Sequence, residues 1–431
     1  MRHWTESFRA GVSADEALLA VRSGHRVLVG SGCAVPQELV EALCRRAKEL
    51  EDVEVCHLLT VGEAPYTSPE LRGHLRHNAF FIGANTRKLV QSGEADFTPV
   101  FLSEIPALLT DGPLPVDVAL ITVSPPDEHG FCSYGVSVDV VKPGAEAARI
   151  IIAEVNPRMP RTHGDAFIHI DRIHAVVNVD RPIPELPAAA PTAVEEGIAD
   201  HVAALVEDGA TLQMGIGGIP NAVLMRLGDK RHLGIHTEMF SDGVLNLIRK
   251  GVITGDKKSI HKGKIVTSFL MGSRQLYDFV DNNPMIEMHP SQYTNDPWVI
   301  AQNEKMTAIN SALEVDLTGQ VCACSMGPLL YSGVGGQVDF IRGASRSRGG
   351  KPIIALPATA KSGTRSRIVP MLQTGAGVTT SRYDVRWVAT EYGAANLHGL
   401  TVRERAKALI GLAAPQFRDE LAHAARERHL I

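Results

Sequence analysis

The sequence predicts an α/β protein made of two related domains with mainly parallel sheets. Three observations carry that expectation. Short apolar runs rich in Val and Ile alternate with helical periodicities along both halves of the chain, the pattern of a parallel sheet covered on both faces. A stretch rich in Pro and Ala interrupts the alternation near the midpoint. One strand–glycine turn–helix plan also occurs once on each side of that stretch.

Length and composition set the frame. A chain of 431 residues is long for one domain, and two domains of about 200 residues each is the ordinary expectation. With 44% apolar and 21% charged residues, both halves can bury a sizeable core. A formal charge of −5 offers no broad positive footprint, so a dedicated nucleic-acid binder is excluded. The opening MRHWTESFRAG lacks an apolar stretch and no run of 18 apolar residues follows, which predicts a protein that is not exported and has no membrane partner. Cys33, Cys44, Cys56, Cys132, Cys322 and Cys324 form no disulfide framework; they read as small core residues of a cytoplasmic protein.

In the first half the expected strands are 25–30, 53–59, 78–83, 116–124, 149–155 and 174–179, with helical patterns in ADEALLAVRSG and PQELVEALCRRAKEL. DRPIPELPAAAPTA (180–193) reads as an extended connector. The expected division is therefore a first domain over 1–182, a linker over 183–193 and a second domain over 194–431. The second half continues with strand candidates in 263–272, 312–325, 351–359 and 384–393. A helix-rich tail opens on Thr401 and Glu404, which have capping-box spacing.

The repeated plan pairs GHRVLVGSGCAVPQELVEAL (24–43) with GATLQMGIGGIPNAVLMRL (209–227). Their opening glycines, Gly24 and Gly209, are 185 residues apart, and their prolines, Pro36 and Pro220, are 184 apart. Proline fits the first turn of a helix, where its missing N–H removes no bond. None of the three glycine clusters, GSG (30–32), GIGG (215–218) and GVGG (333–336), completes G-x-G-x-x-G, because Val35, Pro220 and Val338 stand at the third glycine's place. No phosphate-binding G-x-x-x-x-G-K-[ST] occurs either.

A loop such as GIGGIP can bring bare N–H groups to an anion or oxyanion at a helix start. It can equally be no more than a tight turn. Arg342, Arg346, Arg348, Lys351, Lys361, Arg365 and Arg367 follow the third cluster; they suit either a solvated face or the phosphates of a large ligand.

LGIHTEMFSD (233–242) poses the sharpest question. The helix signals in SDGVLNLIRKG place Glu238 at the carboxyl end of a strand, just before a helix. Ligands of open α/β sheets bind in that crevice. A carboxylate serving only the helix dipole would stand within the first turn. His236 and Glu238 have no third partner at a fixed spacing, so no metal is expected.

GIGGIPNAV, HTEMFSDG, NNPMIEMHP and SGVGGQVDFIRGAS, with VSPPDEHGFCSYG and NPRMPRTHGD from the first half, resemble the acetyl-CoA hydrolase/transferase family over nearly the whole chain. The closest likeness is to its 4-hydroxybutyrate and acetate (or butyrate) CoA-transferases. The resemblance implies two CoA-transferase-type α/β domains with the active site between them. It implies that Glu238 becomes a glutamyl-CoA thioester, and that Gly215, Ile216, Gly217, Gly218 and Ile219 form the oxyanion and CoA loop. Leu313, Gly335, Gly336 and Lys361 are implied to contact CoA. The expected substrates are acetyl-CoA or another short-chain acyl-CoA and a free carboxylate. No cofactor would be permanently bound, coenzyme A entering as a thioester substrate, and the chain would form a homo-oligomer.

Two other readings stay open at this level: an acyl-CoA hydrolase using the same glutamate, and a binding protein without turnover. First-domain candidates for the acyl pocket are residues 31–35, 60–63 and the SPPDEHG turn.

Overall fold

In the first half a seven-stranded sheet forms in the order Ala175–Asn178, Ile150–Val155, Val118–Val123, Arg26–Val29, Val53–His57, Leu75–Ala79 and Asp96–Phe97. Every neighbouring pair is parallel. All six residues of Val118–Val123 are buried, which is why this strand has no polar alternation. The computed structural model describes residues 11–187 and 189–431. The segment 1–10, most of the opening read for an export signal, lies outside the described residues. No helix among the described residues is long and apolar enough to cross a membrane.

Two compact units emerge. One comprises the chain up to Pro187 together with Val266–Thr294; the other runs on to Ile265 and resumes over Asn295–Ile431. The break at Pro187 falls inside the Pro/Ala-rich connector. Residues 266–294, expected within the second domain, instead cluster with the first. Their local alternation is the same as that of either domain, and alternation carries no label of ownership.

In the first unit, Gln37–Arg46 and the short helix Ala14–Ala17 bury Leu39, Val40, Leu43 and Ala17 with Val27, Val29, Val53 and Val55. The expected strand 78–83 is displaced to Leu75–Ala79. Phe80 and Ile82 beyond it are buried outside the strand.

The second unit repeats the order. Its strands run Gly393–Asn396, Trp387–Thr390, Lys351–Ala355, Met306–Ser311, Thr211–Met214 and Gly234–His236. All pairs are parallel except the terminal Gly393–Asn396. Leaving that strand aside, its order matches the first five strands of the other unit: fifth, fourth, third, first, second in chain order. The sequence repeat therefore marks a repeated topology.

Helices Ala193–Leu205 and Gly218–Arg226 pack together, and Gln337–Arg346 packs on the strands Met306–Ser311 and Lys351–Ala355. The tail helices Val402–Leu412 and Arg418–Glu427 close a core with Val315, Ile354 and Val388. Thr401 and Glu404 make the expected capping box.

Candidate active site

Glu238 follows the fully buried strand Gly234–His236 and precedes Met239–Phe240. Glycine is needed at 234 because a Cβ there would lie 2.4 Å from Cγ of Lys258. The Lys258 side chain is 1% exposed. Its Nζ donates to the carbonyls of Ile235 and Lys264, each at 2.9 Å, so a lysine stem lies over the strand while its charge is solvated by main chain.

Thr237 fixes the next turn. Its hydroxyl lies 2.9 Å from the Met239 carbonyl and 3.1 Å from that of Met214, and it accepts from the Met214 N–H at 3.3 Å. The turn presenting Glu238 is thus tied to the end of the central strand.

Asn295 and Gly336 complete the setting. Asn295 Nδ2 donates to Glu238 Oε2 at 3.1 Å, and Asn295 is fully buried. A Cβ at Gly336 would stand 2.0 Å from the same Oε2 and 2.2 Å from Asn295 Nδ2. Only glycine lets the carboxylate–amide pair form there. Gly336 is also the N-cap residue of Gln337–Arg346, so the carboxylate lies at the positive end of a ten-residue helix. Gln337 anchors that helix end: its Nε2 donates to Ser311 O at 2.7 Å and its Oε1 accepts from Thr380 at 3.0 Å.

The glycine loop leaves the strand Thr211–Met214 and enters Gly218–Arg226. Its glycines differ in what forbids a side chain. Gly217, with φ 124° and ψ 178°, occupies backbone open to glycine alone. Gly218 abuts the carboxylate of Glu195. Gly215 meets no atom within 4 Å of where its Cβ would be. Ile216 is exposed and Ile219 buried. Beneath the loop, Met214, Gly215, Thr237, Met239 and Phe240 line a cavity of about 10 Å³. That is room for a water and not for an acyl chain.

The remaining expected residues are placed unevenly. Leu313 is half-buried between two strands, its N–H bonded to Cys322 O. Gly335, at φ 55°, makes the turn before Gly336. Lys361 is exposed in the turn between Thr359–Ala360 and Arg365–Ser366. The basic run does not form one phosphate cradle: Arg342, Arg348 and Lys351 pair with Asp384, Glu304 and Glu207. Lys351 begins its strand, the opposite end from the glycine loop. Arg367 donates to Ala312 O, and burial lowers its pKa.

His236 is fully buried edge-on to Phe340, with ring centroids 6.3 Å apart. In the first unit, Ser31 through Pro36 are buried, and Thr60 accepts from Asn85 Nδ2 at 3.1 Å. Sequence reasoning missed Asn295, Thr237 and Glu195. Asn295 stands 57 residues from its partner carboxylate, and neither spacing nor periodicity marks it.

A parallel α/β protein with a half-buried carboxylate held at a strand's carboxyl end against a glycine turn has the setting in which open α/β sheets take their ligands. The chain belongs to the acetyl-CoA hydrolase/transferase family: the family's N-terminal domain matches residues 2–189 and its C-terminal domain residues 272–425. It is 50% identical over 426 residues to the 4-hydroxybutyrate coenzyme A transferase of Clostridium kluyveri, covering 99% of each chain. Among solved structures it is similar to a 4-hydroxybutyrate CoA-transferase from Porphyromonas gingivalis, with TM-score 0.87 and 44% identity over 99% of this chain and 100% of that one. RipA from Yersinia pestis superposes with TM-score 0.94 at 38% identity, covering all of both chains.

Proposed function

We propose that this protein is a CoA-transferase that moves CoA between a short-chain acyl-CoA and a free carboxylate, by way of a thioester on Glu238. The observation that carries the reading is the Glu238 carboxylate fixed through one oxygen by Asn295 against Gly336. The names of the similar proteins support acetate, butyrate and 4-hydroxybutyrate as acids of the right class.

The chemistry follows from the residue type. Glu238 attacks the acyl-CoA carbonyl, giving a mixed anhydride and CoA thiolate. The thiolate attacks the glutamyl carbonyl, leaving Glu238–CoA and releasing the first acid. A second acid attacks that thioester, and the same steps in reverse deliver its CoA ester and the free glutamate. Each attack passes through a tetrahedral oxyanion, for which the N–H groups of residues 215–219 and the turn at Gly335 and Gly336 are the donors in reach of a strand-end ligand. Leu313 and Lys361 are assigned to the CoA chain on family likeness.

Isotope exchange tests the reading. Enzyme given acetyl-CoA and labelled acetate, with no second acid, should move label into acetyl-CoA. Initial rates with 4-hydroxybutyrate as acceptor should give parallel double-reciprocal lines. Absent exchange with intersecting lines would contradict a covalent CoA intermediate, and steady release of free CoA would identify a hydrolase.

A further inference from the structure

Glu195 performs two tasks. As third residue of Ala193–Leu205 it completes a capping box, its Oε2 accepting from Thr192 N at 2.7 Å and from Thr192 Oγ1 at 2.9 Å. The same carboxylate lies flat against the glycine loop. A Cβ at Gly218 would stand 1.9 Å from Oε1, 2.2 Å from Cδ and 2.4 Å from Oε2.

The contact falls where the loop has least support of its own. Ile216 and Gly217 are exposed, and Gly217 holds a conformation open to glycine alone. Gly217 is the N-cap residue of Gly218–Arg226 and supplies no side-chain cap. A carboxylate at that helix start complements its dipole. The capping box holds the side chain's rotamer, so the loop rests on an oriented support.

We infer that Glu195 is a positioning residue for the 215–219 loop: its capped carboxylate sets the turn at Gly217 and Gly218 and so aims the loop's N–H groups at the reacting carbonyl. This rests on the transferase reading. Gly218 is then glycine because Glu195 occupies the place of its side chain, whereas Gly215 is glycine with no protein atom near that place.

The test separates capping from loop support. Glu195→Gln keeps the box, since Gln serves at that position, and should form the glutamyl-CoA adduct within about twofold of the wild-type rate. Glu195→Ala should lower the adduct-forming rate and kcat by about tenfold or more with a smaller change in KM. Thr192→Ala removes the Oγ1 bonds of the cap but keeps the Thr192 N–H that holds the carboxylate; its Tm should fall about as far as that of Glu195→Ala, with its rate near wild type.

Gly218→Ala should be strongly impaired in the wild-type background, because the new methyl displaces Glu195 from Thr192. It should cost little more in the Glu195→Ala background, the non-additivity expected of touching groups. Equal rates for Glu195→Ala and Thr192→Ala, or an undiminished Gly218→Ala penalty without Glu195, would overturn the inference. Wild-type enzyme forming no adduct would count against the transferase reading instead, while the Tm values of the Gly218/Glu195 cycle would still report the contact.

Discussion

The two strand–turn–helix units share topology and register, yet they set different residues at matching places. In the first unit Arg26 pairs with Glu54, and in the second Thr211 pairs with Gly234. Both Arg26 and Thr211 come two residues after the opening glycine. Four residues beyond the partner, the first unit has Leu58, 3% exposed, where the second has the half-buried Glu238. The turns differ in the same sense. A Cβ at Gly30 would meet Ala34 O at 2.9 Å, and residues 31–36 are all buried. In the second turn, Gly215 faces open space and Ile216 is exposed.

A carboxylate also stands at each helix start, in different employment. Glu154, 2% exposed, accepts from Leu39 N at 2.9 Å inside the first unit. Glu195 supports the second turn from its half-exposed side. One turn has become core and the other has been kept open. The lesson is that the repeat supplies one scaffold twice, with a leucine at the strand end of one copy and a glutamate and an unfilled turn in the other.

The largest break in this comparison should come from Gly336→Ala. Its methyl would displace the Glu238–Asn295 pair, and a shift of about 1 Å should cost on the order of a hundredfold in kcat, with Tm close to wild type. Gly30→Ala is its counterpart in the closed turn. It should lower stability by about 1–3 kcal/mol through overpacking while the residual folded enzyme keeps its kcat. Urea unfolding beside steady-state kinetics separates the two, and a reversal of the pattern would refute the division.

Asn295→Ala leaves Glu238 without its amide, and kcat should fall by about ten- to a hundredfold. Gly215→Ala should be silent in Tm yet raise KM for the CoA ester about tenfold, equivalent to about 1.4 kcal/mol, because only the ligand needs that space. An unchanged KM would mean that the open turn is not where the ester lies.

A separate prediction concerns pH. Burial pushes the Glu154 carboxyl up from 4.5 to about 7. In that window the folded protein binds the proton more tightly than the unfolded chain does. The contribution is therefore fully present below pH 4.5 and lost as pH rises through about 7. It amounts to about 3–4 kcal/mol at most. Glu154→Gln should flatten the fall in stability between pH 5 and pH 8 relative to wild type. His77, which burial lowers to about 4, acts in the opposite direction, its contribution being lost as pH falls from 6.5. It is common to both proteins and cancels in the difference.

Much of this was legible in the sequence because it is written in local pattern. Continuous apolar runs such as Val118–Val123 announce strands buried on both faces, and the spacing of Gly24 and Pro36 against Gly209 and Pro220 exposes the duplication. Glu238 was legible as a carboxylate ahead of a helix. What escaped depends on partners remote along the chain. Residues 78–83 are apolar and partly buried, yet the ladder uses 75–79; hydrophobicity reports burial and not pairing. The allegiance of 266–294 to the first unit leaves no local trace. Nor does Asn295, whose role exists only once the fold brings it to Glu238. The arginines after Gly336 read as either a solvated face or a phosphate site, and the structure pairs Arg342 and Arg348 with acids.

The central claim is that Glu238 carries CoA, and peptide mass spectrometry tests it most directly. Enzyme mixed with acetyl-CoA alone, quenched at mildly acidic pH, should show a CoA adduct on the peptide containing Glu238. Acetate or 4-hydroxybutyrate should discharge it, and Glu238→Gln should show none. An adduct on another residue, or turnover with no adduct at all, would contradict the account.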